Sequence, residues 1–391
     1  MNFPERFSDL PAYAFPRLRA LLEGLPAGGD VLAMSIGEPT HPVPPMVADA
    51  IARNIADFGR YPPNDGTLAL REAIAGWLSR RFAVDLDPAQ NILPLNGTRE
   101  GLFNAALAIS PEKKDGKKPV ILIPNPFYQV YAVAALEVGA EPVFVPATAE
   151  TGFLPDFAAL PEEVLDRTTI AYICSPSNPQ GAVASDGYLA TLLKLAEKHD
   201  FTVFADECYS EIYRETPPPG ILSIIKKGGF DPDRALAFHS LSKRSNLPGM
   251  RSGFAAGSAG AIALMKRLRA YAGAPLPFPL QHAAAEVWAD EQHVNENRAL
   301  YRAKYDIADQ VFGSWPGYLA PQAGFFLWLD VGDGEAMTKR IWTETGVKVL
   351  PGAYLSRSVN GIDPGAAYIR VALVGNEDDV KRGLLAIHGC M

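Results

Sequence analysis

The chain has 391 residues, 48% of them hydrophobic and 20% charged, which is enough for a sizeable core in two domains or in one large domain with an extension. It carries 36 basic against 44 acidic residues, a net charge of -8, which argues against a nucleic-acid surface, and no stretch approaches the ~20 apolar residues of a membrane span. Cys174, Cys208 and Cys390 are odd in number and lack metal or redox spacing, so a disulfide framework is not expected and a cytoplasmic setting is.

The N-terminal "MNFPERFSDLPAYAFPRLRALL" mixes charges and prolines with apolar residues and does not read as a signal peptide. "PPMVADAIARNIADF" (44–58) and "TLALREAIAGWLSRRF" (67–82) have helical periodicity, with Thr67 placed to cap the second. "PVILIPNPFY" (119–128) and "TIAYICSPSNPQG" (169–181) read as buried strands ending in Pro/Asn loops. "LATLLKLAEKHD" (189–200) is a predicted helix, and "FTVFADECY" (201–209) and "RALAFHSLSK" (234–243) are further strands. This alternation predicts α/β architecture. From 283 to 312 the pattern becomes one long helix, followed by the strand-like "GFFLWLDV" (324–331) and "AAYIRVALV" (366–374). The predicted division is an N-terminal arm with part of a small domain (1–45), a large domain (46–285) and a small C-terminal domain (286–391).

The polar residues of interest fall where the strands stop, which in open α/β sheets is where ligands bind. In "FHSLSKRSNLPGMRSGF", Lys243 stands with Ser240, Ser242, Gly249 and Arg251. Most lysines are solvated and need no such company. Hydroxyl donors and a planar guanidinium fork suit a phosphate, and a lysine beside a second cation is a better nucleophile. "LNGTREGLF" adds Thr98 and Arg99 at the start of a helix, where backbone N–H groups point at an anion; Asn-Gly-Thr also caps ordinary helices. Asp206 ends an apolar strand, where a carboxylate needs a partner such as a protonated ring nitrogen, or else caps a helix. Tyr209 stands one turn on. Asn178 is placed to donate to a ring oxygen or to form a plain Asn-Pro turn. Tyr128 offers a ring for stacking or a core aromatic. Arg370, inside an apolar strand, needs an anion: a substrate carboxylate or a structural ion pair. The six histidines show no metal-ligand spacing, so no metal site is expected.

In this order the motifs "SIGEPTHPVP", "RYPPNDGTLALREAIA", "NGTRE", Tyr128, "SPSNPQG", "ADECY", "SLSK…GMR" and "YIRVAL" resemble the class I/II aminotransferases, pyridoxal-phosphate (PLP) enzymes of fold type I, over nearly the whole chain. The resemblance implies a large domain built on a mostly parallel seven-stranded sheet flanked by helices, with a small α+β domain. It implies that Lys243 forms the Schiff base and shuttles the proton in a ping-pong transamination, and that Asp206 holds the pyridine nitrogen protonated. Tyr209 and Asn178 would bond the ring's 3-oxygen, and Tyr128 would stack on the ring. Thr98, Arg99, Ser240, Ser242 and Arg251 would hold the phosphate, joined by Tyr61 from the partner of a homodimer with shared sites. Arg370 would clamp the α-carboxylate of amino-acid and 2-oxo-acid substrates, with Gly37 leaving room for it.

"SLSKRSNLPGMRSGF", "PNPFYQVYAVAALEVGAEP" and "PLPFPLQHAAAEVWADEQHV" resemble the succinyldiaminopimelate aminotransferases of bacterial lysine biosynthesis in particular. Arg99 and Glu100 depart from many relatives, which carry small or amide residues there. A succinyl carboxylate would call for a second cation, for which Arg244 and Arg99 are the candidates. Three other readings stand beside this one: an aminotransferase for aspartate, alanine or an aromatic amino acid, a PLP-dependent carbon–sulfur lyase, and a cofactor-binding regulatory module. The last usually carries a basic helix-turn-helix, and none precedes residue 45.

Overall fold

In the computed structural model, Ser8, Leu10 and residues 12–391 are described. Among the described residues, twelve strands form three sheets. The largest contains β2 (Ile92–Leu95), β3 (Val120–Asn125), β4 (Glu141–Pro146), β5 (Thr168–Cys174), β6 (Thr202–Asp206), β7 (Ala235–Ser240) and β8 (Gly253–Gly257), in the spatial order β2-β8-β7-β6-β5-β3-β4. β8 alone runs against its neighbours, β2 and β7; β7, β6, β5, β3 and β4 pair in parallel. This is the mostly parallel seven-stranded sheet expected.

Its strands are apolar on both faces because helices cover both. Along β6, Val203 and Ala205 pack into one cluster with Trp77, Phe254 and Trp288, while Phe204 points the other way, among Tyr131, Tyr172 and Phe238. The period-two alternation of the pleat therefore fills two cores from one continuous apolar run.

A second sheet joins β9 (Phe326–Asp330), β11 (Leu350–Pro351) and β12 (Tyr368–Ala372) in antiparallel order β11-β12-β9. The short pair β1 (Leu32–Ala33) and β10 (Val347–Lys348) is parallel. Met34 from the N-terminal segment packs in the same core as Tyr301, Leu329, Val371 and Leu384.

Two helices differ from the sequence reading. The helix read over 44–58 stops at Arg53, and Ile55–Gly59 continue as a 3-10 turn. The long helix read over 283–312 is two: Phe278–Ala289 and Gln292–Phe312. Asp290 makes the break by accepting the His293 backbone N–H at 3.1 Å, a side-chain cap that competes with helix continuation. Thr67 caps Leu68–Phe82 by accepting from the Leu70 N–H at 3.3 Å.

Candidate active site

Strands β2, β3, β5, β6 and β7 point the same way, and the loops after their carboxyl ends meet at a cavity of about 360 Å³. Every sequence-predicted site residue except Tyr61 and Arg244 lines it. This convergence is the topological reason a parallel sheet makes a site at one edge.

One end of the cavity gathers groups that could hold an anion. Ser240 closes β7 and caps the short turn Leu241–Arg244, accepting from the Ser242 N–H at 3.1 Å. Gly97, at φ +83°, precedes the helix Thr98–Ile109. A Cβ at Gly97 would lie 2.1 Å from Arg251 Nη2, so the guanidinium rests directly on a glycine. Arg251 itself has a left-handed backbone and donates from Nη1 to the Pro248 carbonyl at 2.7 Å. Thr98 Oγ1 lies 3.1 Å from Cys208 Sγ. A helix N-terminus, two serines and an arginine here could hold a phosphate.

The floor is Asp206, buried at the end of β6. Tyr131 OH donates to its Oδ2 at 2.7 Å and the Cys208 N–H to its Oδ1 at 3.3 Å. Burial pushes the Asp206 carboxyl up, against the pull of these hydrogen bonds. A cation docking there would restore the carboxylate. Tyr131 is held by stacking on Tyr172, centroids 4.4 Å apart, and meets Tyr128 edge to face at 5.7 Å. Tyr128 OH accepts from Arg99 Nε at 2.8 Å, and the rest of Arg99 is exposed.

Lys243 reaches across the cavity and donates from Nζ to the Gly37 carbonyl at 2.6 Å, with Phe325 below the amine at 5.1 Å. Burial pushes its pKa down to about 8; the Arg370 and Arg251 cations act the same way, while Cys208 and Glu38 oppose them. Arg370, on β12, is 5% exposed. Its Nη1 donates to Asn178 Oδ1 at 3.0 Å and its Nη2 to the Ser35 carbonyl at 2.8 Å, over the face of Phe326 at 4.2 Å. Among the described residues its Nε has no partner, and burial lowers its pKa to about 10. A buried guanidinium held only by neutral acceptors is an uncompensated charge, and a carboxylate entering the cavity would satisfy it.

The family Aminotransferase class I and II matches residues 29–387. The chain belongs to the class I and II aminotransferases. It is 32% identical to an LL-diaminopimelate aminotransferase of Desulforudis audaxviator, over 100% of this chain and 99% of that protein. An aminotransferase structure from Neisseria meningitidis superposes with a TM-score of 0.94 at 36% identity, covering 98% of this chain and 99% of that one. Aminotransferase AspB from Helicobacter pylori gives 0.90 at 34% identity, covering 100% and 99%.

Aminotransferases of this family use PLP, and the cavity fits it. The anion end could take the phosphate, the buried Asp206 the ring nitrogen, and Lys243 lies where an aldehyde could reach it. As in the sequence reading, small amino- and oxo-acid substrates follow from the family. No helix among the described residues is long and apolar enough to cross a membrane.

Two sequence expectations change in the aminotransferase. Arg244 does not face the cavity: it is buried behind it, donating to the Val287 carbonyl at 2.9 Å and pairing with Glu291 at 3.0 Å, between Trp77 and Trp288. It cannot meet a succinyl group, and of the two candidates only Arg99 lines the cavity. Gly37 leaves no open room either. A Cβ there would lie 2.4 Å from Phe326 Cζ, so the glycine admits that ring and offers its carbonyl to Lys243. Tyr61 is fully exposed and outside this chain's own cavity. The residue that sequence reasoning missed is Tyr131, one helical turn after Tyr128; that spacing was the available signal.

In the cofactor-free aminotransferase, the Lys243 amine should titrate near pH 8 rather than near 10.5. The neutral amine is the reactive form, so the rate of acylation at Lys243, read by peptide mass spectrometry, should rise with pH and level off above that midpoint. A rise still continuing at pH ~10, as for an ordinary lysine, would contradict the burial argument.

Proposed function

We propose that this enzyme passes the amino group of glutamate to N-succinyl-2-amino-6-oxopimelate, and back, making N-succinyl-L,L-diaminopimelate on the route to lysine. The observation that carries this reading is that two guanidinium groups share the cavity in addition to Arg251 at its anion end. Arg370 is buried and short of a partner, and Arg99 stands exposed at the rim. Both glutamate and the succinylated compound bring an α-carboxylate and a second, distant carboxylate. The relatives named LL-diaminopimelate aminotransferases support the diaminopimelate skeleton.

Bound PLP supplies an electron sink and stores the amino group between half-reactions. The residues of the chain do the rest. Arg370 binds the α-carboxylate through its fork and, with Asn178, orients the substrate amine toward Lys243. Lys243 Nζ would take the proton from the substrate Cα and give it back; an amine with a pKa of about 8 can do both near neutral pH. Asp206, set by Tyr131, would keep the ring nitrogen protonated, and Tyr209 and Asn178 would bond the ring's 3-oxygen. Tyr128 would cover the ring, and Thr98, Ser240, Ser242, Arg251 and the backbone N–H of Arg99 would hold the phosphate, which leaves the Arg99 guanidinium free for a distal carboxylate. These fixed contacts convert an encounter between two solutes into a positioned reaction.

The enzyme acts in the cytoplasm as a homodimer in which Tyr61 completes the partner's phosphate site. The support is that Tyr61, Ile55 and Phe58 expose apolar side chains along one segment. A second reading has an observation of its own. Glu38 also lines the cavity and would suit the free distal ammonium of unsuccinylated LL-diaminopimelate, the compound named for the relatives.

The test is the visible absorbance of the PLP-loaded protein as amino donors are added without an oxo acid. Glutamate and N-succinyl-L,L-diaminopimelate should bleach the band. Bleaching by glutamate and LL-diaminopimelate but not by the succinylated compound would replace the first reading with the second. Continued turnover of a sulfur amino acid with no oxo acid present would indicate a lyase instead.

A further inference from the structure

Lys304, on the helix Gln292–Phe312, is 1% exposed. Such burial of an ammonium is costly without a carboxylate, yet among the described residues it makes no ion pair; Glu377 acts on it only from a distance. Its Nζ contacts His41 Nε2 at 2.5 Å. On the other side, His41 Nδ1 lies 2.8 Å from Asn297 Oδ1. Asn297 Nδ2 lies 3.4 Å from the Lys243 carbonyl and 3.3 Å from that of Arg244, and Asn246 Nδ2 donates to Asn297 Oδ1 at 3.0 Å.

The hydrogens in this chain have one consistent direction. An ammonium can only donate, so His41 Nε2 accepts and Nδ1 carries the proton. That N–H donates to Asn297 Oδ1, and the Asn297 amide then donates to the backbone around Lys243. Lys304 thus fixes the tautomer and tilt of His41, as a carboxylate does for a metal-bound histidine.

His41 belongs to the irregular segment 35–41, which touches the site twice. The Ser35 carbonyl accepts from Arg370 and the Gly37 carbonyl from Lys243. At its far end Thr40 Oγ1 donates to the Val374 carbonyl at 2.6 Å. No helix or strand holds residues 35–41 in place, so their position depends on these side-chain bonds. We propose that His41 and Lys304 are positioning residues for Lys243: the Lys304–His41–Asn297 relay ties the backbone of Lys243 to the segment whose Gly37 carbonyl receives its amine.

The proposal rests on Lys243 being the lysine that carries the cofactor. Borohydride reduction of the PLP-loaded protein checks that separately, by the peptide it labels. The relay itself is tested with Lys304→Met, which removes a buried charge while keeping the stem and so should fold, and with His41→Leu and His41→Gln. In cofactor-free protein at fixed pH, Lys304→Met and His41→Leu should each speed acylation of Lys243 about fivefold, the value of one hydrogen bond. In PLP-loaded protein the same two variants should lower kcat by a similar factor. His41→Gln, which can accept at one end and donate at the other, should stay near wild type in both. If Lys304→Met and His41→Leu shift the melting temperature but leave Lys243 acylation and kcat unchanged, His41 and Lys304 only pack and the proposal is overturned.

Discussion

Lys243→Ala should lose amino transfer from glutamate by about 10⁴-fold or more in kcat, because one amine serves as both covalent anchor and proton carrier. Proton transfer by a positioned group alone supplies up to about 10⁴-fold. The effect should fall on kcat, since Arg370 and its carbonyl supports are untouched. Stopped-flow mixing with glutamate separates amine binding from the loss of the visible band. Borohydride reduction followed by peptide mapping gives an independent reading: label on the Lys243 peptide in wild type and on no lysine in the variant. Label on Lys114, Lys304 or any other lysine of the wild type would sink the assignment.

Arg370→Met should reduce kcat/KM for every amino acid and oxo acid by roughly a hundredfold to a thousandfold, the effect of truncating one side of a buried charge pair. Most of it should appear in KM. An amine with no α-carboxylate should react at the same slow rate with both proteins, because it never used the fork. The sign on stability is opposite to that of an ordinary core substitution. Among the described residues the wild-type guanidinium has an unpaired Nε and no counter-ion, so an apolar stem of similar length over Phe326 should leave the melting temperature unchanged or higher. A clear drop in melting temperature, with KM unmoved, would make Arg370 a structural residue.

Much of the site was legible because it sits where continuous apolar strand runs give way to Pro, Asn and Ser loops. Lys243, Asp206, Asn178 and Ser240 all follow apolar runs whose carboxyl ends lie side by side. What was not legible depended on direction. Arg244 is next to Lys243 in sequence, but neighbours on a helical turn diverge, and the ring faces of Trp77 and Trp288 drew it away from the cavity. Asp290 looked like one more polar residue in a long helix until its carboxylate was found capping the next one. Gly37 was expected to leave room for a substrate carboxylate, yet the space beside it is taken by the Phe326 ring. His41 stood in a quoted motif with no role, because its partners lie on a helix far along the chain.

The contact between Gly97 and Arg251 binds the histories of two distant positions. The guanidinium occupies the space that any side chain at 97 would need, and the backbone there is left-handed as well. Any β-carbon at 97 would push the arginine head aside, and only a flexible terminus would yield, so the damage would fall on anion binding before stability. Replacing Arg251 first frees the space but removes the cation. Neither change is tolerable alone and neither order of the two is easy, so descendants of this chain should keep both residues or exchange both together.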